Sequence, residues 1–275
     1  MSKKILAVDL DGTLLNSDKT ISEANKTAIQ NVLEAGHYVA IATGRAVSSG
    51  RQIAQTLGLT RPGCYLIAYN GGVIYDCAAD CILHEARLPV EYAEYLVSEA
   101  EKWGIYVQAY SATKVLARKA SRELNVYIRR THMPYQIEKD IWEMINEEPP
   151  KILLISLDDR KKLEQFRKAH AEWEKDKCTS FFSCDEYLEY CPLGVTKGAG
   201  LSFLCDFLNI SMDSAVAIGD QENDMSMFKN AYVGAAMKNA EQKVKNLADY
   251  VTENDNDHDG VAEVIYKFIL PKTSA

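Results

Sequence analysis

No apolar stretch in the 275 residues is long enough to span a bilayer, which excludes a helical membrane protein. No run of lysine and arginine of the kind that tracks a phosphate backbone occurs, and the net charge is −8, so nucleic acid is not an expected partner. No CxxC pair is found among the seven cysteines, which are irregularly spaced. An odd number of scattered thiols argues against both a disulfide framework and a zinc site. They read as reduced, mostly buried side chains. None of the five histidines falls in a motif; the reading leaves them as packing or surface residues, with His84 near an expected domain junction. Repeats and low-complexity segments are absent. Met-Ser-Lys-Lys leads through Ile5–Val8 straight to Asp9 and Asp11, which rules out a signal-peptide core. The expectation is a soluble, cytoplasmic protein that meets no membrane. Nothing marks a subunit interface, so the oligomeric state stays open.

What is there is ordinary globular composition, 47% hydrophobic and 25% charged. The length exceeds that of one typical domain, so two are expected. Ile5–Val8 reads as a strand buried on both faces, and 21–35 as a helix with Ser22 as cap and Gly36 as stop. Tyr38–Ala42 is a second buried strand, followed by a helix over 45–57. Tyr65–Tyr69 and Val73–Tyr75 flank Asn70-Gly71-Gly72, a hairpin signal. Strand–helix alternation of this kind predicts a doubly wound parallel α/β sheet. The middle gives a separate α/β unit with helices over 91–103 and 158–173. The alternation resumes with a helix from Thr196, a strand over Ala215–Ile218 and a closing helix over 261–270. The expected division is a core of 1–83 and 191–275, with an inserted α/β unit over 84–190.

Four polar sites follow strands of the outer domain: Asp9-Leu10-Asp11-Gly12-Thr13, Thr43-Gly44-Arg45, Lys197, and Gly219-Asp220-Gln221-Glu222-Asn223-Asp224. Ligands of open parallel sheets sit beyond the carboxyl ends of the strands. Asp9 and Asp11, two residues apart at a strand end, can face one side, where two carboxylates repel. A divalent cation relieves the repulsion, with Asp220 as a third acidic ligand, and carboxylate oxygens suit Mg²⁺. One carboxylate can attack phosphorus while the other protonates the departing alkoxide. The equatorial oxygens then need neutralising, which Lys197, the Thr43 hydroxyl and the N–H groups of Leu10 and Gly44 could do. A net-negative chain repels a small phosphorylated metabolite at range, so local positive charge or a metal must hold it.

In order and content these sites resemble the four motifs of the haloacid dehalogenase (HAD) superfamily, over nearly the whole chain. Tyr-Asn-Gly-Gly, Gly-Val-Thr-Lys-Gly, Gly-Asp-Gln-Glu-Asn-Asp and Asp259-Gly-Val-Ala are similar to the Cof-type branch, above all to YidA-type sugar phosphatases. The resemblance implies an HAD-type core with a C2-type cap. It implies a Mg²⁺-dependent phosphatase acting on small phosphate esters, sugar phosphates foremost. Asp9 would be nucleophile and metal ligand. Asp11 would be acid/base and give its backbone carbonyl to the metal. Asp220 would be a ligand with Asp224 behind it, and Leu10, Thr43, Gly44, Lys197 and Asn223 would hold phosphate. Asp11 sets the chain apart from dehalogenases and P-type ATPases of the superfamily. The short stretch between Asp11 and Thr43 leaves no room for a cap there.

Plainer readings stand beside these. Thr43 and Asp224 suit helix caps, Lys197 a solvated charge, and Arg45 either a substrate contact or a surface residue. Asn70 is a turn residue first. Asp255–Gly260 matches the first half of an EF-hand loop, but Tyr266 stands where a bidentate Glu is required, so calcium is not expected. Two other functions remain open at this point: a phosphotransferase to a sugar hydroxyl, and a phosphate-ester binder without turnover. Specificity is expected around Tyr187–Glu189 or Arg118.

Overall fold

The computed structural model describes residues 2–111, 113–142 and 147–270. The chain divides into two compact units, one of residues up to His84 and from Thr196, the other Glu85–Val195. The first unit opens with β1 (Ile5–Asp9), buried throughout, as an apolar strand covered on both faces must be. The helix α1 (Glu23–Glu34) starts where the Ser22 hydroxyl accepts the Asn25 N–H, and it buries Ala28, Ile29 and Val32. The strand β2 (Tyr38–Ala42) pairs parallel with β1. After α2 (Val47–Thr56), β3 (Cys64–Ala68) pairs parallel with β2. The expected hairpin forms between β3 and β4 (Val73–Asp76), turning through a single 3₁₀ turn, Tyr69–Gly71. An edge strand, β5 (Cys81–Glu85), follows.

The second unit contains α3 (Val90–Lys102), β6 (Tyr106–Tyr110), β7 (Val115–Ala117), α4 (Arg122–Thr131), β8 (Tyr135–Ile137), β9 (Ile152–Ile155), α5 (Arg160–Glu174), β10 (Cys178–Cys184) and β11 (Tyr187–Pro192). Its sheet runs β10-β11-β9-β6-β7-β8. The core gathers Leu96, Val97 and Ala100 of α3, Leu163 and Phe166 of α5, and Ile152 and Leu154 of β9. Where the sequence suggested 84–190, this unit runs on to Val195. The strand β11 continues to Pro192 opposite Cys178, and Val195 packs with Phe181 and Cys191. Sequence reading did not find α4. Leu124 and Tyr127 are spaced as one helical face should be, but they are its only buried residues in a short, largely polar segment.

The first unit then resumes with α6 (Lys197–Phe207), capped by the Thr196 hydroxyl on the Ala199 N–H. The strands β12 (Ala215–Gly219), β13 (Val233–Ala236) and β14 (Tyr250–Val251) alternate with the short helices α7 (Met225–Phe228) and α8 (Gln242–Lys245). The final helix, α9 (Gly260–Val264), continues as a π-turn over Ile265–Ile269. The sheet order is β14-β13-β12-β1-β2-β3-β4-β5, so β1 lies centrally between β12 and β2. The seven cysteines are all free, with only Cys81 exposed.

Candidate active site

At the end of β1 the chain turns tightly: the N–H groups of Leu14 and Leu15 donate to the carbonyls of Asp9 and Leu10 at 3.2 and 2.8 Å. Gly12 makes the turn possible. It holds φ +83°, and a Cβ there would be driven into the Asp220 carboxylate. Asp220 follows the neighbouring strand β12, and the buried Thr13 hydroxyl donates to its Oδ1 at 2.7 Å. Lys197 opens α6 with its side chain sealed from solvent. Its Nζ lies 2.5 Å from Asp9 Oδ1 and 2.6 Å from Asp224 Oδ1. The other Asp224 oxygen accepts the N–H groups of Asp220 and Gln221, both at 2.9 Å. Asp224 therefore closes its own turn and holds the lysine.

Charge in this cluster is unbalanced. Asp9, Asp220 and Asp224 can place one oxygen each within 4.8 Å of one another, against a single ammonium. Burial pushes the Asp9 carboxyl well above its ordinary value, Lys197 opposes that, and Asp224 and Asp220 add to it. Burial and Asp224 push Asp220 up to about 7. For Lys197 burial disfavours the charged form, but Asp224 and Asp9 outweigh it and raise its pKa. Excess negative charge on hard oxygens is what a divalent cation such as Mg²⁺ relieves. The donor set fits such an ion.

Asp11 stands apart from the cluster. Its carboxylate is gripped by Arg45, Nε to Oδ2 and Nη2 to Oδ1, both at 2.7 Å, with Lys19 at 3.2 Å. Burial would raise its pKa, but Arg45 and then Lys19 more than offset it and hold it below its usual value. Thr43 is buried and does not cap α2, whose cap is Ala46. Its hydroxyl instead accepts the Arg45 N–H at 3.1 Å. Asn223 is buried, and its Nδ2 donates to Asn70 Oδ1 at 2.9 Å.

Residues 6–265 match the model of the haloacid dehalogenase-like hydrolase family. The chain belongs to this family. Two Bacillus subtilis relatives named 5-amino-6-(5-phospho-D-ribitylamino)uracil phosphatase are each 31% identical. One is matched over 97% of this chain and 96% of its own length, the other over 95% and 96%. A haloacid dehalogenase-like hydrolase from Bacteroides thetaiotaomicron has the same fold, with a TM-score of 0.84 at 30% identity over 96% of this chain and 98% of that one. This HAD protein is accordingly a phosphatase-type enzyme with a parallel-sheet core and an inserted cap domain.

Of the residues singled out in the sequence, Asp9, Lys197, Asp220 and Asp224 come together directly. Leu10 is buried in the turn between Asp9 and Asp11, and Gly44 sits between Thr43 and Arg45. Thr13, to which the motif alone gives no role, fixes Asp220. Arg45, expected as either a substrate contact or a surface residue, is mostly buried and clamps Asp11. The Asp255–Gly260 segment is a turn in which Asp257 accepts from Ser17, Asp259 accepts from Ser22, and Asp255 pairs with His258. His84 lies against the Phe203 ring.

Proposed function

We propose that this HAD phosphatase hydrolyses small phosphate monoesters of sugars and sugar alcohols through an aspartyl phosphate on Asp9. The observation that carries the reading is Lys197 bridging Asp9 and Asp224 in a buried, over-acidic cluster. A side chain held this way presents one carboxylate in a fixed place, as a nucleophile requires. The names of the Bacillus subtilis relatives support a phosphorylated ribityl compound or something of that kind as substrate.

In the first step an Asp9 oxygen attacks phosphorus, the bond to the leaving oxygen breaks, and Asp11 gives that oxygen its proton. In the second, water attacks the same phosphorus, Asp11 takes the water's proton, and the bond to Asp9 breaks to free phosphate. Gripped by Arg45, Asp11 is ready for the second role; the first requires the grip to loosen. Lys197, the Thr43 hydroxyl and the N–H groups of Leu10 and Gly44 neutralise the transferring oxygens. Asp9, Asp220 and the Asp11 carbonyl would hold Mg²⁺, with Asp224 behind them. Bound there, the ion would supply charge neutralisation. The inserted unit, Glu85–Val195, would exclude water and select the leaving group. The protein would work in the cytoplasm on free metabolites.

The test is phosphate release from p-nitrophenyl phosphate, 5-amino-6-(5-phospho-D-ribitylamino)uracil and a panel of sugar phosphates, with Mg²⁺ and with EDTA. Metal-dependent release is expected, strongest on a polyol phosphate. Release only with a sugar acceptor would mean a phosphotransferase, and binding without release would mean a non-catalytic protein.

A further inference from the structure

The turn between β3 and β4 carries two consecutive non-glycine residues in the left-handed region, Tyr69 at φ 48° and Asn70 at φ 58°. Such backbone is costly for ordinary residues and persists where its surroundings fix it. An asparagine chosen only to tolerate the turn would normally sit at the surface. Asn70 is fully buried, and three motif segments meet on its turn. The Tyr69 N–H donates to the Arg45 carbonyl at 3.0 Å, and the Asn70 N–H to the Thr43 carbonyl at 2.9 Å. At Gly71 the backbone runs so close to Thr196, the cap of the Lys197 helix, that a Cβ would strike its carbonyl. The Asn70 side chain takes the Asn223 amide.

We infer that Asn70 is a positioning residue for the phosphate group, its side chain acting through Asn223. This rests on the reading that Thr43 and Asn223 hold phosphate. An amide nitrogen carries two hydrogens. The bond to Asn70 uses one and fixes the direction of the other, so the donor reaches the phosphate already oriented. Without Asn70 Oδ1, the Asn223 side chain must be ordered at each binding event, and affinity for phosphate falls. The backbone bonds of the turn survive this loss, so Thr43 stays placed.

The experiment is a double-mutant cycle on the Mg²⁺-loaded enzyme, read as affinity for inorganic phosphate by calorimetry and as kcat and KM on p-nitrophenyl phosphate. Asn70→Gly keeps the left-handed backbone and removes the acceptor. It is expected to weaken phosphate binding about five- to tenfold, the worth of one neutral hydrogen bond, and to raise KM more than it lowers kcat, with Mg²⁺ affinity unchanged. Asn223→Ala should weaken binding at least as much, and the double variant no further than Asn223→Ala alone. Additive losses would make Asn70 a structural turn residue and overturn the inference, as would an unchanged phosphate affinity in Asn70→Gly. Should Asn70→Gly fail to fold, the wild-type chain decides. Its Asn223 side-chain amide must give slowly exchanging ¹⁵N–¹H signals that shift on adding phosphate, and fast-exchanging signals that do not shift overturn the proposal. Absence of wild-type turnover would instead sink the phosphatase reading, and phosphate binding would still test Asn70.

Discussion

Replacing Lys197 with methionine tests the electrostatics of the site in one step. Its Nζ is the cation between Asp9 and Asp224, and all three side chains are almost wholly buried. Removing one partner of a buried ion pair costs about 3–5 kcal/mol, because an uncompensated charge is left behind. Each kcal/mol moves the melting midpoint of a domain this size by about 2–4 °C, so a fall of roughly 6–20 °C is expected at pH 8 in EDTA. The pH dependence has a definite sign. Burial already holds the Asp9 pKa above its unfolded value, and loss of Lys197 raises it further. The folded state then binds a proton that the unfolded state has released, so stability falls as pH rises from the ordinary carboxylate range towards the raised value. The penalty must be smaller at pH 5 than at pH 8. Unfolding of wild type and Lys197→Met at both pH values, with and without millimolar Mg²⁺, is the assay. A loss under about 1 kcal/mol at pH 8, or the same loss at both pH values, would refute the reasoning.

Asp9→Asn should abolish phosphate release while melting no lower than wild type in EDTA, since it relieves the excess negative charge; near-normal turnover would remove Asp9 as nucleophile. Gly12→Ala forces a Cβ into the Asp220 carboxylate at a positive φ. It should weaken Mg²⁺ binding by calorimetry at least tenfold, the range seen when a ligand's supporting contacts are lost, and wild-type affinity would mean Asp220 is no ligand. In the inserted unit, Lys151 and Glu189 form a buried pair at 2.5 Å. Lys151→Met should cost about 3–5 kcal/mol in urea titrations, and Lys151→Met with Glu189→Leu less; equal costs would refute the coupling of the two charges.

The meeting of Asp9, Lys197, Asp220 and Asp224 was legible because the chemistry expected there dictates both the residue types and their placement near strand ends. Asp9 and Asp220 end neighbouring parallel strands, and that pairing, Ile5 beside Ala215 and Val8 beside Ile218, brings distant motifs together. Supporting residues were harder to read. The Thr13 bond to Asp220 and the Asn70 bond to Asn223 join residues far apart in the chain, and nothing local announces either. Arg45 stands out in its motif, but its grip on Asp11 depends on where two loops meet. Glu189 falls in sequence within the expected specificity segment, and nothing local marks Lys151; only the fold, which buries both, shows the pair.

The central position of β1 bears on how the chain acquires its structure during synthesis. Its partner on one side, β2, follows soon after it, while its partner on the other, β12, leaves the ribosome only after the whole inserted unit. Until then an apolar strand presents an open edge, the kind of surface that invites mispairing. The inserted unit is continuous in sequence and can collapse first. Closure of the main sheet then depends on contacts between opposite ends of the chain, the kind of non-local pairing that forms slowly. The acidic cluster, assembled from both ends, comes into being only with that step.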